Sequence, residues 1–232
     1  MKYTRHLLAI AAMIFGLIAP IGIAVAQAVA PPQSESFPQT YGEWGARWWQ
    51  YVFGIPADEN PISDTTGKFC HVGQWGPVFF LAGANGGTVT RSCDVPEGLG
   101  LFLPIINIAC AIPDDGDTPK DIVKVCSDAI DKVDLKSLFF IIDHKKVQNL
   151  EKFRASQFFS FTGAVPNVDA VGGCTFTDPH CYEGFRNTAF QDGYWAMVRP
   201  LSVGQHVVRF GGAVPSFGFQ LDVTYNLNVV AQ

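Results

Sequence analysis

The chain has 232 residues, of which 16% are charged and 13% aromatic, and its formal net charge is −5. So acidic and sparsely charged a chain excludes nucleic acid and anionic membrane surfaces as partners, because both select basic patches. Nineteen phenylalanines can fill a sizeable core and leave few charges to cover the outside.

Residues 1–26 have the parts of a secretory signal: Lys2 and Arg5, an apolar run from Leu7, then the small-x-small site Ala24-Val25-Ala26. Cleavage there starts the mature chain at Gln27, in the periplasm or outside the cell, with no stable membrane insertion afterwards. Residues 27–39 are rich in Pro and Ser, without an apolar period, and read as an extended leader. Residues 40–232 are expected to form a single domain.

Thr40-Tyr41-Gly42-Glu43 has the form of a capping box and opens a helix that runs to about Phe53, with Trp44, Trp48 and Val52 on one face. Pro56, Pro61 and Gly67 mark a long loop. Val78–Ala82 and Thr88–Val95 read as a hairpin turning through Ala84-Asn85-Gly86-Gly87. Leu99–Cys110 is nearly all apolar, as a central strand would be, with a bulge or bend at Pro104. Thr118-Pro119 starts a second helix with Ile122, Val125, Cys126, Ala129 and Val133 in one stripe. Leu138–Asp143 and Lys146–Leu150 read as a second hairpin turning at His144-Lys145, and Phe158–Phe161 as a short strand. Asn167–Asn187 reads as a surface loop. Three strands follow, the last alternating apolar Leu221, Val223, Tyr225, Leu227 and Val229 with polar residues. Many strands with regular turn signals and two short helices indicate a mainly β fold, an antiparallel β-sandwich or jelly roll.

Cys70, Cys93, Cys110, Cys126, Cys174 and Cys181 all lie beyond the signal, and an even count in an oxidising compartment reads as a disulfide framework. Proximity pairs Cys70 with Cys93, Cys110 with Cys126 and Cys174 with Cys181. No cysteine or histidine spacing fits zinc, so no metal is expected. Asp114-Asp115-Gly116-Asp117 with Asp121 could offer oxygens to Ca²⁺, but a solvated turn before a helix explains it as well.

No Gly-x-Ser-x-Gly elbow, phosphate-cradling loop or cofactor signature occurs. A His180, His206 and Asp192 grouping is a spatial alternative. Paired carboxylates for glycoside chemistry would come from Glu43, Asp58, Glu59, Asp64, Glu151, Glu183 or Asp192. Trp44, Trp48, Trp49 and Trp75 are the candidate ligand-binding residues, as stacking surfaces for sugar rings or another flat apolar ligand. Against that stands a core role for the first three, on a helix face packed against a sheet.

The pattern of Trp44, Trp48-Trp49, Asn60-Pro61 and Asp64-Thr65-Thr66-Gly67 resembles a family of uncharacterised exported bacterial proteins. The likeness continues through Cys70-x-x-Gly73-Gln74-x-Gly76-Pro77-Val78, Arg91-x-Cys93-x-Val95-Pro96, and Phe102-x-Pro104-x-x-Asn107-x-x-Cys110. It ends with Asp192-Gly193-Tyr194, Pro200-Leu201-x-x-Gly204-x-His206 and Leu221-Asp222-Val223-x-Tyr225. The resemblance implies export and the first two disulfides and brings no activity with it; the Cys174–Cys181 loop is an addition. The leading expectation is a non-catalytic module that binds carbohydrate or another cell-envelope component. A polysaccharide hydrolase or lyase and a structural or partner-binding envelope protein are the alternatives.

Overall fold

The computed structural model describes residues 28–32, 34, 37, 39–167 and 181–231. The expected signal 1–26 and Cys174 lie outside them. Among the described residues the chain is mainly β, with helices α1 (Tyr41–Phe53) and α2 (Pro119–Ile130). The strands are β1 (Val78–Phe80), β2 (Gly87–Pro96), β3 (Gly100–Ala111), β4 (Phe139–Ile142), β5 (Lys145–Lys146), β6 (Arg154–Gly163), β7 (Gly184–Val198), β8 (Gly204–Val214) and β9 (Phe219–Val230). They form a sheet of order β1-β3-β7-β6 and another of order β2-β9-β8-β4-β5. Each is mainly antiparallel and carries one parallel edge strand, β1 beside β3 and β2 beside β9. No helix among the described residues is long and apolar enough to cross a membrane.

Both helices start as their sequences dictate. Thr40 and Glu43 form a reciprocal capping box, as do Thr118 and Asp121 with Pro119 in the first turn. Each box satisfies amides that the first helical turn leaves without partners.

On β7, Gln191 and Trp195 turn toward α1. Gln191 Nε2 donates to the Gly42 carbonyl at 3.0 Å, and Trp48 meets Trp195 at 5.6 Å between ring centroids. Phe190 instead packs with Cys110, Ile122 and Cys126, so α2 covers the opposite face. With both faces covered, β7 is buried from Ala189 to Val198. Close approach of α1 requires glycine: a Cβ on Gly45 would stand 2.8 Å from Gln191 Nε2 and 2.9 Å from Trp195 Cε2. Gly45→Leu is therefore expected to cost about 1–3 kcal/mol by overpacking. Urea unfolding checks this, and an unchanged midpoint would mean that α1 shifts without cost.

The expected hairpin at residues 78–95 does not form. Gly86 and Gly87 do take positive φ, but the turn carries the chain from one sheet to the other. The second hairpin turns one residue earlier than expected, at Asp143-His144, where both residues have positive φ and Ile142 pairs with Lys145. The short strand expected at Phe158–Phe161 is the ten-residue β6. The bulge near Pro104 is present, between Pro104 and Ile106.

The Cys70–Cys93 and Cys110–Cys126 disulfides are formed. The first ties the long loop to β2 rather than closing a hairpin. The second holds α2 against β3. Cys181 is also disulfide-bonded.

Candidate functional site

A cavity of about 810 Å³ opens between α2, β3, the β8–β9 turn and the Gly83–Asn85 loop. Trp48, Trp49 and Ile62 line it together with Ile106, Asn107 and Ile108 of β3. Val125, Asp128, Ala129 and Ile130 of α2 form another wall, and Val214, Phe217, Phe219 and Leu221 a third. The volume lies in the range of sites that enclose small organic ligands, and the lining is mostly apolar, as in such sites.

Besides the exposed Asn85, Asp128 and Lys132, three less exposed polar features interrupt that lining. Trp49 is 2% exposed, and its buried Nε1 has no hydrogen-bond partner. The buried Nδ2 of Asn107 has none either. Asp115 is the third, its Oδ2 accepting from the Ala111 amide and the Tyr182 hydroxyl, each at 2.7 Å. Burial pushes the Asp115 carboxyl above the usual aspartate range and the adjacent Asp114 adds to this, while those two hydrogen bonds pull in the opposite direction.

A raised carboxyl contributes stability that is fully present below its unfolded pKa and is lost as pH rises through its folded pKa. Asp115→Asn keeps an oxygen for both donors and cannot ionise. Relative to wild type it is expected to gain stability as pH rises through that window and to hold the gain above it. Urea midpoints over a pH series check this, and a stability difference between variant and wild type that stays constant with pH would contradict it.

The four tryptophans separate. Trp44 is buried, edge-on to Phe80 and tilted on Phe102. Trp48 donates from Nε1 to the Leu81 carbonyl at 3.0 Å and packs against Trp49 and Trp195. Trp49 stacks on Phe53. None of these three offers an open stacking face to solvent, but Trp48 and Trp49 line the cavity. Trp75 alone is open, 67% exposed, with the Arg47 guanidinium 5.4 Å from its ring centre.

Three of the four acidic groups in the Asp114–Asp121 loop are engaged within the protein. Asp114 pairs with Arg186, Asp115 holds the two donors named above, and Asp121 caps α2. Cys70 Sγ, Cys93 Sγ and a His71 ring nitrogen lie within 4.8 Å of one another. The two sulfurs are bonded to each other, so in the oxidised protein this group offers a metal little more than the imidazole. Asp192 is held by Arg154 through two hydrogen bonds at 3.0 and 2.7 Å and does not meet His206; His180 lies outside the described residues.

His206 instead joins Asp143 and Ser202, a combination not legible from their positions in the chain. Its Nδ1 lies 2.7 Å from Asp143 Oδ2, while Nε2 is 3.4 Å from Ser202 Oγ and 2.9 Å from the carbonyl of that same serine. The nearer partner of Nε2 is an acceptor, so Nε2 serves as a donor there rather than as a base toward the hydroxyl. The three residues lie outside the cavity lining and knit β8 to the β4–β5 turn, where Asp143 also accepts from the Val207 amide.

No family model, curated protein or solved structure matches this chain.

Sequence reasoning reached Trp48 and Trp49 but not Asn107 or Asp115 as cavity residues. One signal was present for Asn107, a single amide side chain inside the apolar run Leu101–Ala109. Asp115 had none, since an acidic residue before a helix is ordinary.

Proposed function

We propose that this protein is an exported, non-catalytic binding module whose cavity takes a small, largely apolar component of the cell envelope. The observation that carries the reading is the cavity itself, walled mostly by apolar side chains from both sheets and α2. The signal-like residues 1–26 and the disulfides support export. Of the ligand classes raised by the sequence, the apolar lining favours an apolar molecule over a carbohydrate. A catalytic role draws less support, because the Nε2 of His206 is turned to a carbonyl and Asp128 is paired with Lys124.

Saccharide stacking on Trp75 is a second reading, favoured by its open ring beside Arg47. Thermal-shift screening of the oxidised protein against apolar small molecules and oligosaccharides separates the two. Saturation at 100 times the dissociation constant adds about 2.7 kcal/mol of stability. A shift with apolar compounds that Ala129→Trp abolishes supports the cavity reading. A shift with an oligosaccharide that Trp75→Ala abolishes supports the second reading and sinks the first.

A further inference from the structure

Three residue pairs in the chain carry the same latent chemistry: Asn85-Gly86, Asp115-Gly116 and Asp192-Gly193. In each, the glycine amide nitrogen can attack the side-chain carbonyl carbon of the residue before it and close a succinimide ring. Glycine permits this because no Cβ hinders the approach. The attack needs a backbone free to turn, and an amide locked in a ladder or a packed turn must first open locally.

The structure separates the three. Asp192 is 2% exposed and gripped by Arg154, while Gly193 lies inside β7, opposite Asn107 on one side and Ala155 on the other. Asp115 accepts from the Ala111 amide and the Tyr182 hydroxyl and donates its own amide to the Ala111 carbonyl at 2.8 Å. Gly116 is packed so closely that a Cβ there would stand 2.6 Å from Asp121 Cβ. Asn85 is exposed, on the bend that carries the chain from one sheet to the other. Among the described residues, neither its side chain nor the Gly86 amide makes a hydrogen bond. Arg91 holds the carbonyls of Ala82 and Gly83 before it, and the β2 pairing starts at Gly87 after it. Gly86 has φ of 97°, a conformation that L side chains rarely adopt.

We propose that Asn85 is a site of self-modification. The Gly86 nitrogen bonds to Asn85 Cγ, and its proton leaves with the side-chain nitrogen as ammonia. One water then opens the succinimide at either carbonyl, giving aspartate or isoaspartate. The balance requires no reactant but water. Asn85 lines the cavity together with Asp115 and Asp128, against Lys132 as the only cationic side chain there. The product therefore adds a carboxylate to that wall, and the isoaspartate form also lengthens the main chain by one carbon just before β2. The chemistry does not rest on the cavity reading and survives its failure.

The test is timed incubation of the oxidised protein in mildly alkaline buffer, followed by digestion and mass spectrometry with fragmentation that distinguishes aspartate from isoaspartate. Synthetic peptides covering each of the three pairs set the unrestrained rates. Asn85 is expected to exchange NH₂ for OH at a rate within about tenfold of its peptide, whereas Asp115 and Asp192 isomerise more than about tenfold slower than theirs. Asn226, exposed but paired with β2 and β8, serves as an internal reference and should stay intact. Asn85→Gln, whose amide is one methylene farther from the backbone, should stop the reaction and melt at the wild-type temperature. An Asn85 that stays intact while its peptide reacts would overturn the proposal. So would Asp115 or Asp192 keeping pace with its own peptide, because the fold would then not select the site.

Discussion

Replacing Arg91 with leucine is expected to destabilise the protein by about 3–5 kcal/mol, because buried carbonyls that the guanidinium satisfies are left without a donor at about 1–3 kcal/mol each. Arg91 is 1% exposed. Its Nε donates to the Asp64 carbonyl at 2.6 Å, and Nη2 to the Ile62 carbonyl at 3.1 Å. Nη1 reaches the carbonyls of Ala82 and Gly83 and the Tyr225 hydroxyl at 2.7, 2.9 and 2.8 Å. One guanidinium on β2 thus holds the long loop, the turn after β1 and a core tyrosine of β9. Leucine replaces much of the stem's volume and strands the carbonyls of Asp64, Ile62 and Gly83, each costing about 1–3 kcal/mol if left dry, whereas the Ala82 carbonyl keeps the Tyr225 hydroxyl and that hydroxyl keeps the Ala82 amide.

At about 2–4 °C per kcal/mol for a domain of this size, the melting point should fall by roughly 10 °C. Arg91→Lys is expected to lose most of the same stability, because a single ammonium cannot span acceptors arranged around a planar fork. A loss below about 1 kcal/mol for Arg91→Leu would mean that water enters and replaces the guanidinium, and that Arg91 is not the tie between these loops.

Removing the Cys110–Cys126 disulfide has the second large effect, and it reaches the cavity. The cysteines are 16 residues apart, a closure worth about 3 kcal/mol through the unfolded chain. Both side chains are also buried against Ile122 and Phe190. The Cys110→Ala/Cys126→Ala double variant should lose about 3 kcal/mol and free α2, which supplies Val125, Asp128, Ala129 and Ile130 to the cavity wall. Affinity for an apolar probe should fall with it. The Cys70→Ala/Cys93→Ala pair opens a closure of 23 residues at comparable cost but leaves α2 clamped, so its affinity should hold. Equal binding losses in the two variants would show that global loosening, rather than the α2 wall, governs the cavity.

Much of the fold was legible because local chemistry and tertiary role agree. Thr40–Glu43 and Thr118–Asp121 announce helix starts, and both form. The alternation from Leu221 to Val229 announces one buried face of β9, and the uninterrupted apolar run around Leu103 announces a strand covered on both sides. Pairing partners were not legible where turn chemistry misleads. Ala84–Gly87 supplies residues that tolerate positive φ, yet positive φ does not say whether the next strand returns to the same sheet. The Asp143-His144 turn was displaced in the reading because neither residue is glycine, although both sit in the left-handed region.

Site residues followed the same division. Trp48 and Trp49 stand out as residue types, but whether an indole meets solvent, core or cavity depends on what covers the helix. Asn107 becomes meaningful only once β3 is known to be covered and its amide is known to lack a partner. Ser202 and His206 meet locally at the start of β8, and Asp143 reaches them only through the β4–β8 pairing.

The most direct test of the central claim is the binding of an uncharged fluorescent ketone, 6-propionyl-2-dimethylaminonaphthalene, to wild type and to Ala129→Trp, whose indole would fill the space beside Ile130 and Val125. The account predicts saturable one-to-one binding with blue-shifted emission in wild type, and its loss in a variant that melts at the wild-type temperature. Equal binding by both proteins, or by neither, would contradict it.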